Sequence, residues 1–197
     1  LTFGNASYAY AGADQTLCAN APMAELNGNF SGGAQGAVWS SSGTGFFSNT
    51  TDPDATYTMS AADLAAGSVQ LTFTTITNGT CAVSSDAVML SLQALPTISA
   101  GSDVVACTAA PVQVFANAVN AAAGSWTTSG SGAFLDANAL ATLYYPSAAD
   151  STVGSVTLTV TTTGVAPCSA VSDQMVITFG GGLAAEAGAD VTACSTD

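Results

Sequence analysis

The sequence predicts an all-β chain built from tandem β-sandwich repeats of about 88 residues, and three observations predict it. The first is internal self-similarity. Ala11-Gly12-Ala13-Asp14 recurs as Ala100-Gly101-Ser102-Asp103 and as Ala187-Gly188-Ala189-Asp190, and a cysteine stands four residues after each aspartate, at Cys18, Cys107 and Cys194. The second is that other landmarks keep step at a spacing of 87: Trp39 with Trp126, Tyr57 with Tyr144, Gly67 with Gly154, Cys81 with Cys168, and Asp86 with Asp173. Across 60–92 and 147–179, 14 of 33 positions are identical without a gap, which makes duplication the explanation. The third is period-two alternation in Val69-Gln70-Leu71-Thr72-Phe73-Thr74 and Val156-Thr157-Leu158-Thr159-Val160-Thr161, the pattern of half-buried strands.

The remaining elements follow in order. Trp39 and Trp126 sit in short strands ahead of Gly-Ser turns. Ser60-Ala61-Ala62-Asp63 and Ser147-Ala148-Ala149-Asp150 fit a capping box, so about one helical turn is expected there, crossing between sheets. Asn78-Gly79 suits a tight hairpin turn. Val88–Leu92 and Met175–Phe179 supply the returning strands. The stretch Met23–Leu26 and its counterpart Val112–Phe115 leave open which alternate positions face inward. About seven short strands per unit, punctuated by Gly, Ser and Asn, indicate an immunoglobulin-like sandwich.

The phase of the repeat sets the expected boundaries. Leu1-Thr2-Phe3-Gly4 matches Ile177-Thr178-Phe179-Gly180, so residues 1–10 read as the last strand and linker of a preceding repeat. Residues 11–99 and 100–186 are then whole repeats, and 187–197 the first strand of a following one. The parent polypeptide is expected to continue in both directions. The linkers 4–11, 93–99 and 180–186 are short, and Pro96 stiffens one, so an extended rod with restricted bending is expected.

Composition excludes several functions. Of the 197 residues 48% are apolar, enough for a packed core. Only 7% are charged, all acidic, with no Lys, Arg or His and a net charge of −13. Nucleic-acid binding needs cations to displace counterions. An anionic membrane repels this charge, and no apolar run reaches the ~18 residues of a span. Abundant Val, Leu, Phe and Thr in alternation argue against disorder. Without His or Lys there is no Ser–His or Cys–His nucleophile system and no Schiff base. The aspartic-protease signatures Asp-Thr-Gly and Asp-Ser-Gly do not occur. A glycosidase needs only two carboxyls, yet the repeated acids sit where structural roles suffice, so the chain reads as no enzyme.

Five cysteines, two per complete unit, predict the bridges Cys18–Cys81 and Cys107–Cys168, with Cys194 paired outside these residues. Each ring of just over 60 residues contributes about 4 kcal/mol and implies an oxidising compartment. Trp39 and Trp126 are core candidates, with sugar stacking as the rival role; Tyr57 and Tyr144 are likewise assigned to the core. Asp14, Asp103 and Asp190, with Glu186 near the last, are candidate Ca²⁺ ligands at the unit boundary. The alternative is an aspartate that bonds its own backbone in a turn. No other cofactor is expected. Asp86 and Asp173, ahead of the last strands, read as loop caps.

The run A-G-A-D-Q-T-L-C-A-N-A-P (Ala11–Pro22), then Trp39, S-A-A-D-L-A-A-G-S-V (Ser60–Val69) and C…S-D-A-V (Cys81–Val88), resembles the Ig-like and PKD-like tandem repeats of giant cell-surface adhesins of gliding Bacteroidota, of SprB type. The resemblance implies export by the type IX secretion system, display on the outer cell surface, and a role in adhesion and gliding. Its implied partners are neighbouring repeats of the same chain, a surface or glycan ligand, and the secretion and gliding machinery. Two other classes stay open at this stage: a structural subunit of an extracellular fibre or sheath, and a carbohydrate-binding module of a secreted glycanase.

Overall fold

The computed structural model describes residues 5–78, 82–107, 110–121 and 123–180. They form two compact units, one of the described residues within 5–97, 119–121 and 162–171, the other of those within 98–118, 123–161 and 172–180.

The first unit runs β1 (Tyr8–Tyr10), β2 (Gln15–Cys18), β3 (Met23–Glu25), β4 (Asn29–Ser31), β5 (Ala34–Ser41), β6 (Phe46–Phe47), β7 (Thr56–Thr58), α1 (Ala61–Ala66), β8 (Ser68–Thr77) and β9 (Ser85–Gln93). One sheet has the order β2-β9-β8-β5, a second the order β3-β7-β6, and β1 pairs with β4. The alternation Val69, Leu71, Phe73 of β8 meets Val88 and Leu90 of β9, and all five are buried. Trp39 of β5 lies opposite Phe73, ring centroids 4.5 Å apart, and stacks on Phe47 at 6.2 Å. In antibody domains a disulfide between sheets backs the equivalent tryptophan; here an aromatic cluster takes that place. On β3 the inward residue is Ala24, opposite Tyr57, while Met23 is 54% exposed, which resolves the face that alternation left open.

The second repeat follows this plan with β10 (Thr97–Ser99), β11 (Val104–Cys107), β12 (Val112–Phe115), β13 (Asn117–Val119), β14 (Gly124–Thr128), β15 (Ala133–Phe134), β16 (Ala141–Tyr145), α2 (Ala148–Val153), β17 (Ser155–Thr162) and β18 (Ser172–Gly180). Its sheets are β11-β18-β17-β14, β12-β16-β15 and β10-β13. Its core gathers Val112, Val114, Trp126, Tyr144, Val156, Leu158, Val160, Met175 and Ile177. The predicted all-β, immunoglobulin-like class is the fold observed.

Two details differ from the sequence expectations. The helices span six residues each, longer than one turn, because the capping box starts them and a left-handed glycine ends them: Gly67 at φ 76° and Gly154 at φ 89°. The repeat boundaries move upstream by a few residues. Tyr8–Tyr10, expected within the linker 4–11, is a strand that pairs with β4 of the first repeat, and Thr97–Ser99, expected within the linker 93–99, pairs with β13 of the second. The cause is the Ala-Gly-x-Asp motif. It is a hinge inside the first strand, with Gly12 at φ 90° and Gly101 at φ 85°, that carries the chain from one sheet to the other. The Asn78-Gly79 turn, and everything proposed for 187–197, lie outside the described residues.

Candidate functional site: a carboxylate cradle, a doubly tethered hinge and a strand-end disulfide

The repeated residues build three local structures. The most buried is the cradle around Asp63 and Asp150, each 3% exposed. Each aspartate is the third residue of its helix and closes the capping box on Ser60 or Ser147. Asp63 Oδ1 accepts from Thr44 N–H at 3.0 Å. Its Oδ2 accepts from Gly45 N–H (2.9 Å), Ser60 N–H (3.0 Å) and the Tyr57 hydroxyl (2.9 Å). In the second unit Asp150 Oδ1 accepts from Ser131 N–H (2.9 Å), and Oδ2 from Gly132 N–H (3.0 Å), Ser147 N–H (3.0 Å) and the Tyr144 hydroxyl (2.7 Å).

Two glycines per unit make the approach possible. A Cβ on Gly43 or Gly130 would run into the carboxylate, and one on Gly45 or Gly132 into the tyrosine hydroxyl. Burial alone would push Asp150 upward, but the Ser147 and Ser131 amides and the Tyr144 hydroxyl outweigh it and bring its pKa down to about 2. Asp63 is lowered by the same balance. Tyr57 and Tyr144 are raised, first by burial and then by their carboxylate neighbours, with their serine and threonine partners opposing. A carboxylate held ionised by four donors, with no open face, serves as a structural anchor and not as a general acid.

The second structure is the hinge. Ala11 N–H donates to Asp86 Oδ2 at 2.9 Å, and Ala100 N–H to Asp173 Oδ2 at 2.8 Å. Two residues past the glycine, Asp14 Oδ1 accepts from Met89 N–H and Asp103 Oδ1 from Val176 N–H, both at 2.8 Å. The expected turn onto its own backbone is therefore not what Asp14 makes. Gln15 lies opposite Leu90 in a parallel pair, so the carboxylate of the residue before it meets the amide of the residue before Leu90 and extends the ladder by one bond. Asp103 does the same beside Val104 and Ile177. Asp86 and Asp173 lie within the last strands and fix the hinge, a more distant partner than a loop cap would have. Among the described residues no three Asp, Glu or Cys side chains gather as a metal site; Glu186 and Asp190 lie outside them.

The third structure corrects the cysteine assignment. Cys18 bonds Cys168, 150 residues away, and not Cys81; Cys107 is exposed and unpaired instead of joined to Cys168. The physical reason is where the loop before β18 goes. Residues 162–171 belong to the first compact unit, which brings Cys168 against the end of β2 with Cα atoms 5.1 Å apart. Cys81 and Cys194 lie outside the described residues.

Trp39 and Trp126 are each 2% exposed, so neither offers a ring face to a sugar. The Trp39 indole N–H donates to the Asp52 carbonyl at 3.0 Å. Tyr57 and Tyr144 are fully buried. The carboxylate cradle was missed at the sequence level, although its signal was present: Gly43, Gly45, Tyr57 and Asp63 recur together at +87 as Gly130, Gly132, Tyr144 and Asp150.

These units define the class of the chain: a tandem of immunoglobulin-like modules. Solved structures share the fold. Sidekick-1 immunoglobulin domains 1–5 align with a TM-score of 0.55 at 12% identity over 91% of this chain and 40% of that one. The titin I-band fragment I67–I69 gives 0.54 at 14% identity over 91% of this chain and 67% of that one. Extracellular domains 3–5 of Drosophila OTK give 0.50 at 14% identity over 84% of this chain and 59% of that one. This chain thus spans less than half of the Sidekick-1 fragment. No family model and no curated protein matches the chain.

Proposed function

We propose that this chain is a non-catalytic segment of a long extracellular adhesin, whose immunoglobulin-like repeats form a stalk that holds a binding tip away from the cell. One observation carries the reading: a single module occurs twice in succession, and its repeated aromatic and carboxylate residues are spent inside the fold. The Cys18–Cys168 bridge suits an oxidising compartment. No helix among the described residues is long and apolar enough to cross a membrane. A charge of −13 without a single cation keeps neighbouring stalks apart, and leaves no trypsin-type cleavage site. The motif resemblance to gliding adhesins of SprB type extends the reading to type IX export and movement over surfaces.

An antibody raised against the chain tests it. Labelling of intact cells, together with loss of attachment and gliding when the parent gene is interrupted, is the expected result. Labelling only after permeabilisation overturns it. Light scattering of the purified chain is expected to show a monomer; lateral polymers would favour a fibre subunit, and tight binding on a glycan array a carbohydrate-binding module.

A further inference from the structure

Cys18 and Cys107 occupy one position in two copies of the module. Each ends the short strand that runs parallel to the last strand of its sheet, Cys18 opposite Gln93 and Cys107 opposite Gly180. Their surroundings differ. Cys18 is 6% exposed and bonded, whereas Cys107 is exposed and free. Cys18 is bonded to Cys168, which lies in the sequence of the following repeat but in the stretch 162–171 that groups with the first unit. Cys168 is itself 4% exposed, and its Sγ lies 3.6 Å from the carbonyl oxygen of Gln93, the residue that Cys18 faces. The loop cysteine is also a repeated feature, since Cys81 precedes Cys168 by 87 residues.

We infer that successive repeats are laced together covalently: the strand-end cysteine of each repeat bonds the loop cysteine of the next. Cys107 is then the docking point for the loop cysteine of a following repeat. The inference rests on the tandem-array reading above. Bond formation needs a protein disulfide as oxidant, of the dithiol oxidoreductase class. The loop thiolate attacks that disulfide and forms a mixed disulfide. The Cys107 thiolate then attacks the loop sulfur, the new Sγ–Sγ bond forms, and the oxidant leaves as a dithiol carrying the two electrons and two protons.

The consequence is topological. The ring closed by Cys18–Cys168 already contains Cys107, where the next ring begins. Neighbouring rings therefore overlap from 107 to 168, and every residue of an interior repeat lies inside at least one of them. Bridges confined to single repeats would leave 82–106 outside any ring.

The test is a disulfide map. The chain is oxidised with glutathione disulfide, its free thiols are alkylated, and pepsin fragments are identified by mass spectrometry. In the natural chain the expected result is a Cys18–Cys168 linked pair, with Cys81 and Cys107 singly alkylated; a Cys18–Cys81 or Cys107–Cys168 pair overturns the inference. A tandem variant with residues 100–186 duplicated after 186 is expected to link Cys107 to the copied Cys168. The copied Cys107 stays alkylated, so the decisive reading is the linked peptide: absence of any Cys107–Cys168 link in that variant, with the Cys18–Cys168 pair intact as proof of folding, overturns it. Adding C168S to the first copy is expected to free Cys18 for alkylation and leave the Cys107 bond in place; loss of both bonds overturns it. The map is independent of surface labelling, so failure of the lacing and failure of the adhesin reading are distinguishable.

Discussion

Asp63 and Asp150 couple the strength of each module to pH, and the sign follows from their depressed pKa values. Asp150 titrates at about 2 in the folded chain against 3.8 ordinarily, so between these values the unfolded chain binds more protons. Its stabilising contribution is complete above pH 4 and is lost as pH falls toward 2. The gap amounts to about 2 kcal/mol as an upper figure. Asp63 acts in the same direction. Urea unfolding at pH 7, 4, 3 and 2 is expected to show this decline, and Asp63→Asn with Asp150→Asn to flatten it; parallel losses in parent and variant would refute the cradle's role. At neutral pH, Tyr144→Phe removes the 2.7 Å hydroxyl donor while the three amide donors remain, and a loss of about 1–2 kcal/mol is expected in the unfolding free energy. Gly43→Ala and Gly130→Ala are expected to cost more than the same change at Gly36. At the first two the added methyl meets the carboxylate, whereas at Gly36 it meets only the end of the Ile76 side chain at 3.9 Å.

At the scale of the element, the two short helices show what each terminal residue contributes. Ser60→Ala removes the acceptor for Asp63 N–H and is expected to cost about 1 kcal/mol. Gly67→Ala introduces no contact within 4 Å, so its cost is that of a left-handed alanine, about 1–2 kcal/mol. Thermal unfolding of the two variants separates cap from backbone, because a Ser60→Gly control is expected to recover most of the first loss and has no bearing on the second. These helices were legible in the sequence because capping is local: Ser and Asp lie three residues apart and act on each other. The strands β8, β9, β17 and β18 were legible for a similar reason, since alternation over six residues already states which face is wet. The hinge was legible as a motif and not as a mechanism. Asp14 finds its amide 75 residues away, and only the parallel register of β2 on β9 brings Met89 beside it. The disulfide was the hardest of all. Cysteine counts of two per repeat are satisfied equally by bridges within a repeat and by bridges from one repeat to the next, and the choice is made by the path of the loop that carries Cys168.

For the whole molecule, charge and covalent topology act on different properties. No side chain carries a positive charge to offset the thirteen carboxyl-bearing residues, so self-repulsion opposes folding and is screened by salt. Raising ionic strength from 0.01 to 0.15 M shortens the Debye length from about 30 to about 8 Å, and the melting temperature is expected to rise with it. A flat response would mean the carboxylates are too dispersed to repel. Covalent topology decides instead how far the chain can be drawn out. Pulled from its ends, the oxidised chain transmits force through Cys18–Cys168, and the segment between them bears none once the flanks are taut. A separation of 150 residues, at about 3.3–3.6 Å each, hides roughly 500 Å of contour length. Single-molecule stretching is therefore expected to gain that length in one step when a reductant is added, and the same length with Cys168→Ser in the absence of reductant. Bridges inside each repeat would behave differently. Cys168→Ser would then release only the segment from Cys107, roughly 200 Å, and leave the rest locked until reduction. The two lengths differ by more than a factor of two, so one variant pulled under oxidising conditions decides whether load passes from repeat to repeat through sulfur or through the folded strands alone.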